Sequence, residues 1–126
     1  MSTVLTCLLI GALLPILLSW VGAYFKFQKF GSIDNKNPRF QSAELEGAGA
    51  RAVAAQQNAW EALAVFTAGV VAYGLQGTGS ETASILAIVW IIARIVHGIV
   101  YIANLDALRT LAFIVGTGCS VALFFV

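Results

Sequence analysis

Charge is scarce in this chain. Seven Lys or Arg and six Asp or Glu make up only 10% of 126 residues, whereas a soluble domain carries about 25%. The formal net charge of +1 gives no basic footprint for nucleic acid. Cysteine is nearly absent. Cys7 and Cys119 both lie in apolar runs without metal or redox spacing, so they are expected to be buried thiols. There is no Gly-rich phosphate loop, no zinc spacing and no Ser-His-Asp arrangement. These absences exclude several common catalytic and cofactor classes.

Hydrocarbon is what remains. Apolar residues make up 60% of the chain, more than a soluble fold of this length can hide, so a bilayer is the expected solvent. One domain spanning residues 1–126 is expected. The pattern predicts an all-α membrane protein, a four-transmembrane-helix bundle with spans at about 4–25, 50–75, 81–103 and 107–126. The first span, Val4 to about Phe25, has no charge and exceeds the ~7–15 residues of a cleaved signal's apolar core. Pro15 is expected to kink it, with Ser19 or neighbours satisfying the freed carbonyl. A polar stretch from Lys26 to Gly49 follows, with turn signals at Gly31-Ser32, Asn37-Pro38 and Gly47-Ala48-Gly49. The second helix is polar and alanine-rich at first and apolar from Ala62 to Tyr73. Gln76 to Ser80 and Asn104 to Asp106 form the remaining connections, and Glu81 reads as a helix N-terminal charge.

Basic residues set the expected orientation. Lys26, Lys29, Lys36, Arg39 and Arg51 lie in or beside the first loop, and Arg109 lies beside the third. The positive-inside rule places those loops in the cytoplasm and both termini outside, in a cell (inner) membrane. The four lysine and arginine side chains from Lys26 to Arg39 read as solvated. Small residues at packing spacing, Ala55/Ala59, Ala64/Ala68/Ala72 and Gly116/Ser120, would allow close helix approach. The tryptophans and phenylalanines read as packing or lipid-facing groups.

The exceptions to this apolar pattern are the informative residues. Glu61, Arg94 and His97 stand within the spans, where an ionisable group costs roughly 2.5–3.5 kcal/mol on insertion scales. At about 100° per residue, Arg51, Asn58 and Glu61 fall within an arc of roughly 80° on helix two. Arg94, His97, Tyr101 and Asn104 make a similar stripe on helix three. Arg109 opens helix four near the same face. Each has an ordinary reading: a Glu61–Arg94 ion pair, a packing histidine, a belt tyrosine, a snorkelling arginine. Together they suit a zwitterionic ligand with excess carboxylates, held in one pocket facing the cytoplasm.

Two segments carry a family resemblance. Arg51-Ala-Val-Ala-Ala-Gln-Gln-Asn58-Ala-Trp-Glu61, leading to Phe66, resembles helix two of the membrane-associated proteins in eicosanoid and glutathione metabolism, the MAPEG family. Arg94-Ile-Val-His97-Gly-Ile-Val-Tyr101, followed by Arg109, resembles its helices three and four. Asn37-Pro38-Arg39 and Gly49-Ala50-Arg51 look like the shorter prokaryotic members. In departure from many animal members, Gln56 and Gln57 replace basic or histidine residues, Phe113 follows Arg109, and helix one ends in Lys26 and Lys29.

The resemblance implies a homotrimer that binds glutathione between protomers, as cosubstrate, without metal. Arg51, Asn58 and Glu61 would hold the peptide from helix two, with Glu61 on its α-ammonium. Arg94, His97 and Tyr101 would contact it from helix three, and Arg109 would sit near the sulfur with Thr110 beside it. The implied activity is that of a transferase or peroxidase. A free thiol titrates near ~8.5 and a nearby arginine favours its thiolate. That thiolate would attack a lipophilic electrophile or hydroperoxide drawn from the bilayer. Two other readings stay open: a small multidrug-type transporter using Glu61, and a non-catalytic membrane assembly partner.

Overall fold

The computed structural model describes all 126 residues, Met1–Val126. Four long helices account for most of them: α1 (Thr3–Phe30), α3 (Gly47–Gln76), α4 (Glu81–Ile102) and α5 (Asp106–Ala122). A short α2 (Pro38–Ala43) interrupts the first loop, and one 3₁₀ turn (Leu123–Phe125) ends the chain. By length and composition α1, α4 and Asp106–Phe125 suffice to cross a membrane. Helix α3 is the longest at 30 residues, but its polar first half dilutes its hydropathy. Large apolar side chains such as Leu13, Ile92, Ile99 and Ile114 face outward, as in a protein whose solvent is lipid.

Helix α1 lies mainly along α3, and α4 along α5. The apolar core sits at the end of the bundle away from the first loop. It gathers Val4 and Cys7 from α1, Phe66, Val70 and Tyr73 from α3, Trp90 from α4, and Cys119 and Leu123 from the C-terminal end. Phe66 stacks on Trp90 with ring centroids 3.7 Å apart and planes within 6°. Both cysteines are free and buried there, as their apolar surroundings imply. Two glycines permit this packing. A side chain at Gly11 would collide with the Trp90 ring, and one at Gly69 would come within 2.5 Å of the Ser120 carbonyl.

The core end is fastened by polar side chains. The Tyr73 hydroxyl accepts from the Gly79 and Ser80 amides at 2.9 and 3.0 Å. Ser80 caps α4 by accepting from the Ala83 amide, and Glu81 stands in that first turn. Gln76 Nε2 donates to the Phe124 carbonyl at 3.1 Å.

The first loop is more ordered than its turn signals imply. Asp34 Oδ1 accepts from the Lys36 and Asn37 amides, each at 3.0 Å, an Asx turn that leads into Pro38 at the start of α2. Gln41, buried, accepts from the Asp34 amide and donates to the Ser32 carbonyl, both at 2.9 Å. Gly47-Ala48-Gly49 opens α3 and is not a separate turn. Lys26 is not solvated: it is 9% exposed and donates to the Pro38 carbonyl at 3.0 Å. Lys29 also belongs to α1 and donates to the Glu44 carbonyl.

Three further expectations change. On α1, which continues past Pro15, the Ser19 hydroxyl donates to the Ile16 carbonyl at 2.6 Å and not to the carbonyl that Pro15 leaves free. Asn104 lies beyond α4, at φ 63°, in the turn where the Leu105 amide bonds to the Val100 carbonyl; it is not part of the helix-three stripe. The row Ala64/Ala68 faces outward, while Phe66, Gly69 and Val70 turn inward. Helix rotation, which spacing alone leaves free, decides that difference.

Candidate functional site

The polar side chains collect in the half of the bundle nearest the first loop. Period and packing explain this placement. Asn58 and Glu61 lie three apart on α3, Arg94, His97 and Tyr101 three and four apart on α4, and Arg109 and Thr110 lie in the first turns of α5. Residues so spaced share a helix face. The α4 stripe turns toward α3 and α5 because its other face, with Ile92, Ile95 and Ile99, is exposed.

Arg94 is only 5% exposed and its Nη2 donates to Asn58 Oδ1 at 2.9 Å. A buried guanidinium left without an acceptor would be costly, so the Asn58 carbonyl is its anchor. The ordinary reading of a Glu61–Arg94 ion pair therefore gives way to an Asn58–Arg94 hydrogen bond. Glu61 is exposed on the outside of the bundle but lines the same cavity as Arg94. Arg51 stands apart. Its Nε donates to the Ile102 carbonyl at 3.0 Å, bracing the end of α4.

The His97 ring meets Tyr101 edge-on, with centroids 5.5 Å apart. The Arg109 guanidinium carbon lies 4.6 Å from the Tyr101 ring centroid, a cation–π distance. His97 is 2% exposed, and its Nδ1 is the one buried side-chain polar atom without a hydrogen-bond partner. Native interiors satisfy nearly all such atoms, so this nitrogen is an exception, on a residue that lines a cavity.

Two cavities follow from this arrangement. One of about 260 Å³ is lined by Asn58, His97, Tyr101, Arg109, Thr110 and Phe113. A neighbouring one of about 170 Å³ contains Glu61, Arg94, Trp90, Thr117 and Ser120, and again Phe113. Phe113 thus stands between them. Thr117 and Ser120 had not been expected at a site. Their signal was present: Thr110, Phe113, Thr117 and Ser120 recur every three or four residues along one face of α5. Gly116 lies on the same face, close to Arg94 and Trp90.

The class of protein is now defined: an all-α bundle of long apolar helices, with cationic and hydroxyl-bearing side chains gathered at one end. The chain belongs to the MAPEG family, whose model matches residues 3–126. No curated protein and no solved structure matches it. Family membership places it among membrane proteins of glutathione-related metabolism.

Proposed function

We propose that the protein is a glutathione-dependent transferase or peroxidase, active as a homotrimer, with the thiol peptide seated in the crevice between α3, α4 and α5. The observation that carries this reading is the single cavity lined by Asn58, His97, Tyr101, Arg109 and Thr110. Two arginines and a histidine face these cavities, and Glu61 is the only carboxylate among their lining residues. That balance suits a peptide with two carboxylates and one ammonium. Because Asn58 holds Arg94, the Glu61 carboxylate is free for the ammonium.

Assembly has its own support. Glu61 is exposed on the face of a helix flanked by apolar turns. A carboxylate facing acyl chains is costly, and a neighbouring protomer covers it. Each cavity is also smaller than the ~300 Å³ at which ligand pockets begin, as half-sites at a subunit boundary are.

In this reading Arg109 supplies positive charge and hydrogen bonds to the sulfur, and Thr110 a hydroxyl donor. Both favour loss of the thiol proton to water. The activated sulfur then attacks an electrophilic carbon, or the outer oxygen of a hydroperoxide with release of the alcohol. The chain's contribution is position and electrostatics. Isothermal titration of detergent-purified protein with glutathione tests the assignment. Binding is expected for the wild type, with weaker binding for Glu61→Ala and Arg109→Ala. A wild type that takes up no glutathione would remove it.

A further inference from the structure

The corner between α4 and α5 has one carbonyl that its own turn does not satisfy. A helix ends in carbonyls that no amide of the helix reaches. Here the Ile99, Val100 and Tyr101 carbonyls are taken by the amides of Ala103, Leu105 and Asn104, at 3.0, 2.9 and 3.1 Å. The last two bonds make a Schellman closure, with Asn104 at φ 63° in the left-handed position where glycine is usual. Asn104 is the only non-glycine residue at positive φ, so surrounding contacts must hold the turn. The Ile102 carbonyl is left over. Arg51 Nε donates to it at 3.0 Å from the first turns of α3.

The corner carries two residues of the larger cavity. Tyr101 directly precedes Ile102, and the Arg109 amide bonds to the Leu105 carbonyl at 3.0 Å. The Arg109 guanidinium lies over the Tyr101 ring, so a shift of the corner disturbs both sides of that contact. Helix α3 fastens α4 at two points. Asn58 holds Arg94, and Arg51, about two turns earlier on α3, holds Ile102, about two turns later on α4. His97 and Tyr101 fall between these fastenings in the chain. Arg51 itself lines neither of the two cavities between α3, α4 and α5. We infer that Arg51 is a positioning residue: by holding the Ile102 carbonyl it sets the α4–α5 corner, and through it the placement of Tyr101 and Arg109, without touching the bound peptide. The inference deepens the glutathione reading and rests on it for its kinetic consequence. The family resemblance alone would make Arg51 a ligand of the peptide.

Hydrogen exchange and kinetics on the detergent-purified full-length protein test this together. Arg51→Met keeps an aliphatic stem but has no donor. In that variant amide exchange at Asn104 and Leu105 is expected to rise about tenfold, the contribution of one hydrogen bond from a charged group. The Gly79 and Ser80 amides, held by Tyr73 at the other end of the bundle, are expected to keep their rates. With a chromogenic electrophile, kcat should fall by about 10–10² through misplacement, while the Kd for glutathione stays essentially unchanged. Arg51→Lys, which retains a cationic donor, is expected to restore slow exchange and most of the turnover. Unchanged exchange at the corner in Arg51→Met, or an equal rise at Gly79 and Ser80, overturns the role. So does full kcat despite fast exchange at the corner. A weakened Kd for glutathione with kcat intact would make Arg51 a peptide ligand instead. A wild type that binds no glutathione removes the functional reading alone, and the exchange rates then decide whether Arg51 holds the corner.

Discussion

Asn58 is the residue on which the arginine of α4 depends. Its carbonyl is 2.9 Å from Arg94 Nη2, in a setting where an unpaired donor costs about 1–3 kcal/mol. Asn58→Ala is therefore expected to lower unfolding stability in detergent by that amount, while Asn58→Gln retains part of it; thermal melts of purified protein will show both. Tyr101 makes a different prediction. Its ring, more than its hydroxyl, faces Arg109. Tyr101→Phe should leave Arg109 in place, whereas Tyr101→Leu should remove a contact of about 0.5–2 kcal/mol. For Arg109 itself, loss of a charge-stabilising donor is expected to lower kcat by about 10²–10³, with a smaller change in KM for glutathione, as measured with a chromogenic electrophile. At this scale the candidate residues were legible because a charge in an apolar run is conspicuous. Their partners were not. Glu61 seemed the natural counter-ion for Arg94, but an arginine reaches the acceptor that helix rotation offers, and α3 offers Asn58.

Among the helices, close approach depends on two glycines. The Trp90 ring that occupies the space beside Gly11 is itself stacked on Phe66 and 1% exposed, so it has no room to yield. Gly11→Ala and Gly69→Ala are each expected to destabilise by about 1–3 kcal/mol through overpacking. Gly74, with nothing near its missing side chain, is the control: Gly74→Ala should be neutral or stabilising by up to about 1 kcal/mol. Denaturation midpoints of the three variants in one detergent compare them directly. The long helices were readable from hydropathy, but α2 was not. Six residues are too few for a periodic signal, and this helix owes its place to Pro38, the Asp34 turn and the lysines of α1 that reach across to it. The same contacts explain why Lys26, which as sequence looks like one more solvated base, is buried.

The molecule as a whole has two ends of different character. One packs aromatic rings and buried thiols; the other gathers polar groups into cavities and carries the ordered, basic first loop. That asymmetry yields a topology prediction. Single cysteines introduced at Lys36 and Gly77, in a background lacking Cys7 and Cys119, should react with a membrane-impermeant maleimide from opposite sides of a sealed membrane, Lys36 from the cytoplasm. Labelling of both from one side would contradict the orientation.

Composition and spacing by themselves determined that the chain is an apolar helical bundle, and which polar residues interrupt it; the resemblance of two of its segments pointed to the family. Hydropathy and helical period are local properties, so they survive without knowledge of the fold. Only the tertiary structure decided that Asn58 holds Arg94, that Arg51 braces α4, and that Phe113 and His97 line the cavities they do. Those outcomes depend on how far each helix is rotated and how closely two glycines let them approach, and both are set by packing between segments distant in the chain.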